Sequence, residues 1–143
     1  MPNEKMSYAG FWKRLAAFII DLVIIMIGSV ATGIILAFFE TVKGNTDSRV
    51  LNSAGNASGI LFAWLYYAAM ESSSKQGTLG KMVLGIKVVD LEGSKIDFGK
   101  ATTRYFGKFV STIIFSIGFI MIAFTQKKQG LHDIMAKCLV LNK

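Results

Sequence analysis

From Leu15 to Phe39 the chain is apolar at almost every position, and Asp21 is the one charged interruption. Twenty-five helical residues rise roughly 37 Å, more than the ~30 Å hydrocarbon core of a bilayer. No face of this run is polar enough for a soluble surface helix, so the pattern predicts a transmembrane helix over about 13–39. A second apolar stretch, 51–70, is long enough to span as well, although its first half is small and mildly polar (Ser53, Ala54, Gly55, Asn56, Ser58, Gly59). The third, 109–126, lies between Lys108 and Lys127 and is interrupted by Ser116 and Gly118. Between the second and third, alternation in Val83 to Leu91 predicts a strand, Leu91-Glu92-Gly93-Ser94 a turn, and Lys95 to Phe98 a short return strand. The hairpin so defined covers about 82–98. Asp97 is placed to cap a helix beginning near Phe98, and Lys137 to Leu141 is strand-like.

Charge orients these elements. The first connection carries Glu40, Lys43, Asp47 and Arg49, which cancel, whereas the region after Glu71 holds Lys75, Lys81, Lys87, Lys95, Lys100, Arg104 and Lys108 against Asp90, Glu92 and Asp97. The positive-inside rule places that region and the N-terminus in the cytoplasm. The tail adds Lys127, Lys128, Lys137 and Lys143 against Asp133. A third full span would put this basic tail outside, and a re-entrant hairpin would return it to the cytoplasm; both arrangements stay open, with charge favouring re-entry. The fold class is therefore an all-α membrane protein, residues 1–143 in one domain, with two spans, a third apolar segment and a small cytoplasmic β-hairpin. The expected location is the cell membrane, multi-pass.

Hydrophobic residues make up 52% of the 143, so the net charge of +7 is read as cytoplasmic loops and lipid contacts and not as nucleic-acid binding. One cysteine, Cys138, and one histidine, His132, offer no metal site and no disulfide. Cys138 reads as a small buried residue. Gly77-Thr78-Leu79-Gly80-Lys81 has the wrong spacing for a phosphate loop, and Met82 stands where Ser or Thr is needed. No serine has a base and an orienting acid around it, so neither an enzyme nor a cofactor is expected.

The candidate chemistry lies on the first helix. Asp21 falls about 9 Å inside the apolar run by helix rise. A carboxylate at that depth costs on the order of 2–3 kcal/mol unless it finds a partner, water or a proton. Arg14, Asp21, Gly28 and Thr32 share one face, which should meet protein or a wet cavity. Gly55-x-x-x-Gly59 on the second helix and Ser29-x-x-x-Gly33 on the first form small-residue strips that predict close antiparallel packing.

Three ordered motifs carry a resemblance over nearly the whole chain. Ala9-Gly10-Phe11-Trp12-Lys13-Arg14-Leu15-Ala16-Ala17-Phe18 with Asp21, Gln76 to Lys81 leading into Gly85-Ile86-Lys87-Val88-Val89-Asp90, and Gln129-Gly130-Leu131-His132-Asp133 together resemble the RDD family of small prokaryotic membrane proteins. The family is named for an arginine and two aspartates. Arg14 and Asp21 match the first two; Asp133 is the choice for the third, with Asp90 the fallback. The resemblance implies a transport role, since some members are linked to sodium/proton exchange. Two readings then compete. In one, the chain moves a small cation, with Asp21 as the coupling carboxylate, Arg14 tuning it and Asp133, His132 or Asp90 serving the cytoplasmic side. Two or three spans cannot enclose a pathway, so this reading requires a homo-oligomer. In the other, a non-transporting scaffold or accessory subunit uses Arg14, Asp21 and Asp133 as a structural cluster.

Overall fold

A 32-residue helix, α1 (Phe11–Val42), is the axis of the molecule. The computed structural model describes residues 7–114 and 117–143; it is mostly helical and adds one two-stranded sheet. At 1.5 Å per residue α1 is about 48 Å long. Among the described residues it alone combines the length and apolarity needed to cross a membrane. Ile19, Val23, Met26, Ile27, Val30 and Ile34 are each more than half exposed along it. A continuous apolar band of that extent is a surface for lipid or protein, not for water.

A tight turn containing Gly44 (φ 84°) reverses the chain into α2 (Ser48–Ser72), whose first turn is capped by the Asp47 carboxylate accepting from Arg49 N at 2.8 Å. The contacts run in opposite directions along the two helices. Gly28 faces Phe62, Ser29 lies against Gly59, and Gly33 approaches Gly55 and Ser58. This is the antiparallel seam expected from Ser29, Gly33, Gly55 and Gly59. Gly55 contributes backbone only, since a Cβ built there would meet nothing within 4 Å.

After α2 the chain makes a short helix, α3 (Leu79–Val83), then β1 (Ile86–Asp90). The expected strand was to begin at Val83. Instead that residue closes α3, and Gly85, at φ 63°, takes the left-handed position that ends the helix. The expected hairpin over 82–98 is also corrected. The partner of β1 is β2 (Cys138–Asn142), antiparallel, with Val88 opposite Val140. Burial decides this: Cys138, Leu139, Val140 and Leu141 of β2 are all buried, whereas Lys95 to Phe98 buries one apolar side chain, Ile96, and leaves Phe98 43% exposed. Ile96 enters the core instead, and Asp97 caps α4 (Phe98–Ile113) by accepting from Lys100 N at 2.7 Å. The chain's own start covers the other edge of β2: Ala9 N donates to Val140 O at 2.8 Å, and Asn142 N donates to Ser7 O at 2.8 Å.

The third apolar segment divides between the end of α4 and α5 (Ile117–Phe124). Of the anticipated interruption, Ser116 lies outside the described residues and Gly118 lies inside α5. Eight residues of α5 rise only about 12 Å. Arg104 of α4 and Lys128, just beyond α5, both bond to a single group of side chains, so the segment leaves and returns at the same end of α1. The short α6 (Leu131–Met135) then leads into β2.

Candidate functional site

That shared end of α1 holds a chain of buried charges. Arg14 pairs through Nη1 with Asp133 Oδ2, and its Nη2 donates to Lys128 O at 2.5 Å. The other oxygen of Asp133 accepts from Arg104, at 2.6 Å from Nη2 and 3.1 Å from Nε. Arg104 Nη1 reaches Glu71 Oε2 at 2.7 Å, and Lys81 Nζ binds Glu71 Oε1. The sequence Lys81–Glu71–Arg104–Asp133–Arg14 thus links the end of α2, α3, α4, α6 and the start of α1. Each arginine is used on more than one side, as the planar guanidinium allows. Burial alone would push the Asp133 carboxyl up, but the Arg104 and Arg14 guanidiniums outweigh it and hold that group well below the usual carboxylate range.

Asp21 lies outside this chain of pairs. It is buried, and its oxygens accept from Tyr66 OH at 2.8 Å, Thr78 Oγ1 at 2.6 Å and Gly80 N at 2.9 Å. Thr78 also caps α3, and Gly80 lets that helix sit directly on α1. A Cβ on Gly80 would lie 2.2 Å from Ala17 O. The expected electrostatic partnership of Arg14 with Asp21 is therefore replaced by two separate attachments. Arg14 holds the tail, and Asp21 holds the segment after α2. The glycine-rich stretch rejected as a phosphate loop has a structural use: it wraps a carboxylate.

His132 is buried beside Ser111, its Nδ1 3.5 Å from Ser111 Oγ, and its ring lies 5.1 Å from that of Phe119. Burial pushes its pKa down to about 3 despite the pull of Asp133, so the imidazole is neutral at neutral pH. Asp90 is elsewhere. Its carboxylate accepts from Glu92 N and Ser94 N in the turn after β1 and pairs with Lys100 Nζ at 3.9 Å, so among the described residues it does not join the cluster. Cys138 is the buried core residue expected, its thiol pushed up to about 11 by burial. Among the described residues no three His, Cys, Asp or Glu side chains come together to hold a metal ion.

Sequence reasoning missed Glu71, Lys81 and Arg104 as members of the cluster, and Tyr66, Thr78 and Gly80 as the donors to Asp21. A signal existed for Arg104. Ala101, Arg104, Tyr105, Lys108 and Ser111 recur at helical spacing, so the stripe that α4 turns inward carries two cations.

Beside the cluster, between α1 and the α4–α5 pair, lies a cavity of about 540 Å³. Arg14, Asp21, Lys81, Arg104, Lys108 and His132 line its polar end, and mostly apolar side chains of α1, α2, α4 and α5 form the rest.

Comparison with known proteins agrees with the arrangement of motifs. The RDD family model matches residues 8–137. The chain is 39% identical over 150 residues to "Uncharacterized protein YxaI" of Bacillus subtilis (strain 168), covering 94% of this chain and 97% of that one. It is 33% identical over 140 residues to "Uncharacterized membrane protein YteJ" of the same organism, covering 96% and 82%. No solved structure matches it. The aligned region takes in Arg14, Asp21 and Asp133, and the chain belongs to the RDD family.

Proposed function

We propose that the chain is a non-transporting, multi-pass module of the cell membrane in which the arginine and the two aspartates are static attachments. α1 crosses the bilayer on its own apolarity, and α2, 25 residues long but less apolar, crosses packed against it; 109–126 enters and leaves on the cytoplasmic side, and both termini face the cytoplasm. The basic connection and tail support this orientation. A re-entrant segment needs protein around its irregular backbone, and α1 lies against α5.

The observation that carries the reading is the coordination of Asp21. Its two oxygens are taken up by three protein donors from α2, the α3 cap and α3. A transported cation would have to displace those donors at every turnover and unseat α3 from α1, and a transported proton would turn the Tyr66 or Thr78 hydroxyl away from its present bond. The charges of Arg14 and Asp133 are likewise spent on each other and on Arg104. Such a clamp suits a scaffold or accessory subunit, without catalysis, and it does not call for the homo-oligomer that transport would require.

Flux in proteoliposomes tests this. With an imposed sodium gradient and a pH-sensitive dye inside the vesicles, the wild type should pass no more protons than protein-free vesicles. Sodium-driven proton movement by the wild type, abolished in a well-folded Asp21→Asn, would overturn it.

A further inference from the structure

The cavity beside the ion cluster has a charge it does not balance. Arg14, Lys81 and Arg104 are paired to Glu71 and Asp133, which leaves one cation in excess before Lys108 is counted. Lys108 makes no ion pair or hydrogen bond through its ammonium among the described residues; its Nζ sits 3.6 Å above the centre of the Tyr67 ring. Even with Asp21 included, four cations face three carboxylates. An ammonium in such a place must find an anion or give up its proton. A second group is also unmatched: Tyr67 is 5% exposed, lines the same cavity, and its hydroxyl has no partner among the described residues.

Away from these donors the walls are apolar. Leu15, Phe18, Leu22 and Ile25 form one stripe of α1, about 15 Å long by helix rise, facing Phe109 and Ile122. Phe18, Leu22 and Phe109 are 40–50% exposed, so the cavity opens sideways toward the surface that α1 presents to hydrocarbon. Charge at one end and a lateral apolar groove at the other match an amphiphile, not a free ion.

We propose that this cavity binds one anionic phospholipid, its phosphate held by Lys108 Nζ and Tyr67 OH, and one acyl chain lying along the Leu15–Ile25 stripe. Basic pockets between helices on the cytoplasmic side suit such head groups. The inference takes from the proposed function only that the chain is embedded in a bilayer. A flux result would leave it standing, and a failed lipid titration would leave the static-clamp reading standing.

The test is titration of dioleoylphosphatidylglycerol into the full chain in a non-ionic detergent, read by native mass spectrometry, with dioleoylphosphatidylcholine and inorganic phosphate as competitors. The wild type should retain one phosphatidylglycerol that neither competitor displaces at tenfold excess. Lys108→Gln should weaken retention at least tenfold, Lys108→Arg should preserve it, and Lys127→Gln, a surface control, should not change it. Ile25→Trp, which narrows the apolar end without touching charge, should also weaken it, so the proposal does not depend on one variant folding. Equal retention by Lys108→Gln and the wild type would overturn the site. Equal binding of phosphatidylcholine would reduce it to a greasy groove, and displacement by phosphate would reassign it to a free anion; either result defeats the proposal.

Discussion

Arg14 and Asp21 share a helical face, yet the structure couples Arg14 to Asp133, and a pair of double-mutant cycles separates the two. In Asp133→Asn the two guanidiniums of Arg14 and Arg104 lose their common anion, and the amide must turn its own N–H groups toward one of them. Breaking a buried pair by removing one partner costs ~3–5 kcal/mol. Asp133 accepts from both arginines and from Gly130 N at 3.1 Å, so the upper half of that range is expected. Arg14→Gln is milder, roughly 3 kcal/mol, because Arg104 still neutralises Asp133. The double variant should lose less than the sum, with a coupling of about 1–3 kcal/mol. Arg14→Gln with Asp21→Asn should instead be additive to within about 0.5 kcal/mol, because the two residues share no partner. Reversible unfolding in mixed detergent–SDS micelles, followed by tryptophan fluorescence, measures all five variants against the wild type. A coupling above 1 kcal/mol between Arg14 and Asp21, with none between Arg14 and Asp133, would refute the assignment.

Three further outcomes are expected. Gly80→Ala should destabilise by about 1–3 kcal/mol, since its methyl meets a backbone carbonyl and Asp21, whereas Gly55→Ala, pointing into open space, should be neutral or stabilising by up to ~1 kcal/mol; thermal unfolding in detergent reads both. Because the folded-state pKa of His132 is depressed to about 3, the unfolded chain binds the extra proton between that pH and about 6.5, so stability is full above pH 6.5 and declines on acidification. The slope should approach ~1.4 kcal/mol per pH unit and flatten above pH 4 in His132→Gln, as chemical unfolding at stepped pH will reveal. Tags at both ends should be protected together from membrane-impermeant reagents in intact cells, and external labelling of the C-terminal tag alone would exclude re-entry.

Legibility in the sequence followed the range of the forces involved. α1, the Asp97 cap, the seam at Ser29, Gly33, Gly55 and Gly59, and the strand near the C-terminus were readable, because hydropathy, capping and small-residue spacing act within a few turns of chain. The partner of β1 was not. The turn at Asp90 to Ser94 does form, with Asp90 N donating to Ser94 O at 2.9 Å, but pairing went to the segment that buried more. The candidate site was legible only in part. Arg14, Asp21 and Asp133 stood out through apolar context or motif, whereas Glu71, Lys81 and Arg104 looked like ordinary loop and helix charges. Nothing local distinguishes a lysine that meets solvent from one that will meet Glu71.

The strand at the C-terminus has a consequence in time. β2 sits between β1 and the segment at Ser7 to Ala9, and Arg14 waits for a partner 119 residues further along the chain. At ribosomal rates of ~5–20 residues per second, that interval is on the order of ten seconds. Throughout it, α1 can already be in the membrane with Arg14 lacking its acid and the lead segment lacking its neighbour strand. The stretch from Asp133 through β2 therefore completes one made much earlier, and a nascent chain stalled before Asp133 should be marked by an unpaired Arg14 and an uncovered strand edge, open to a quality-control protease.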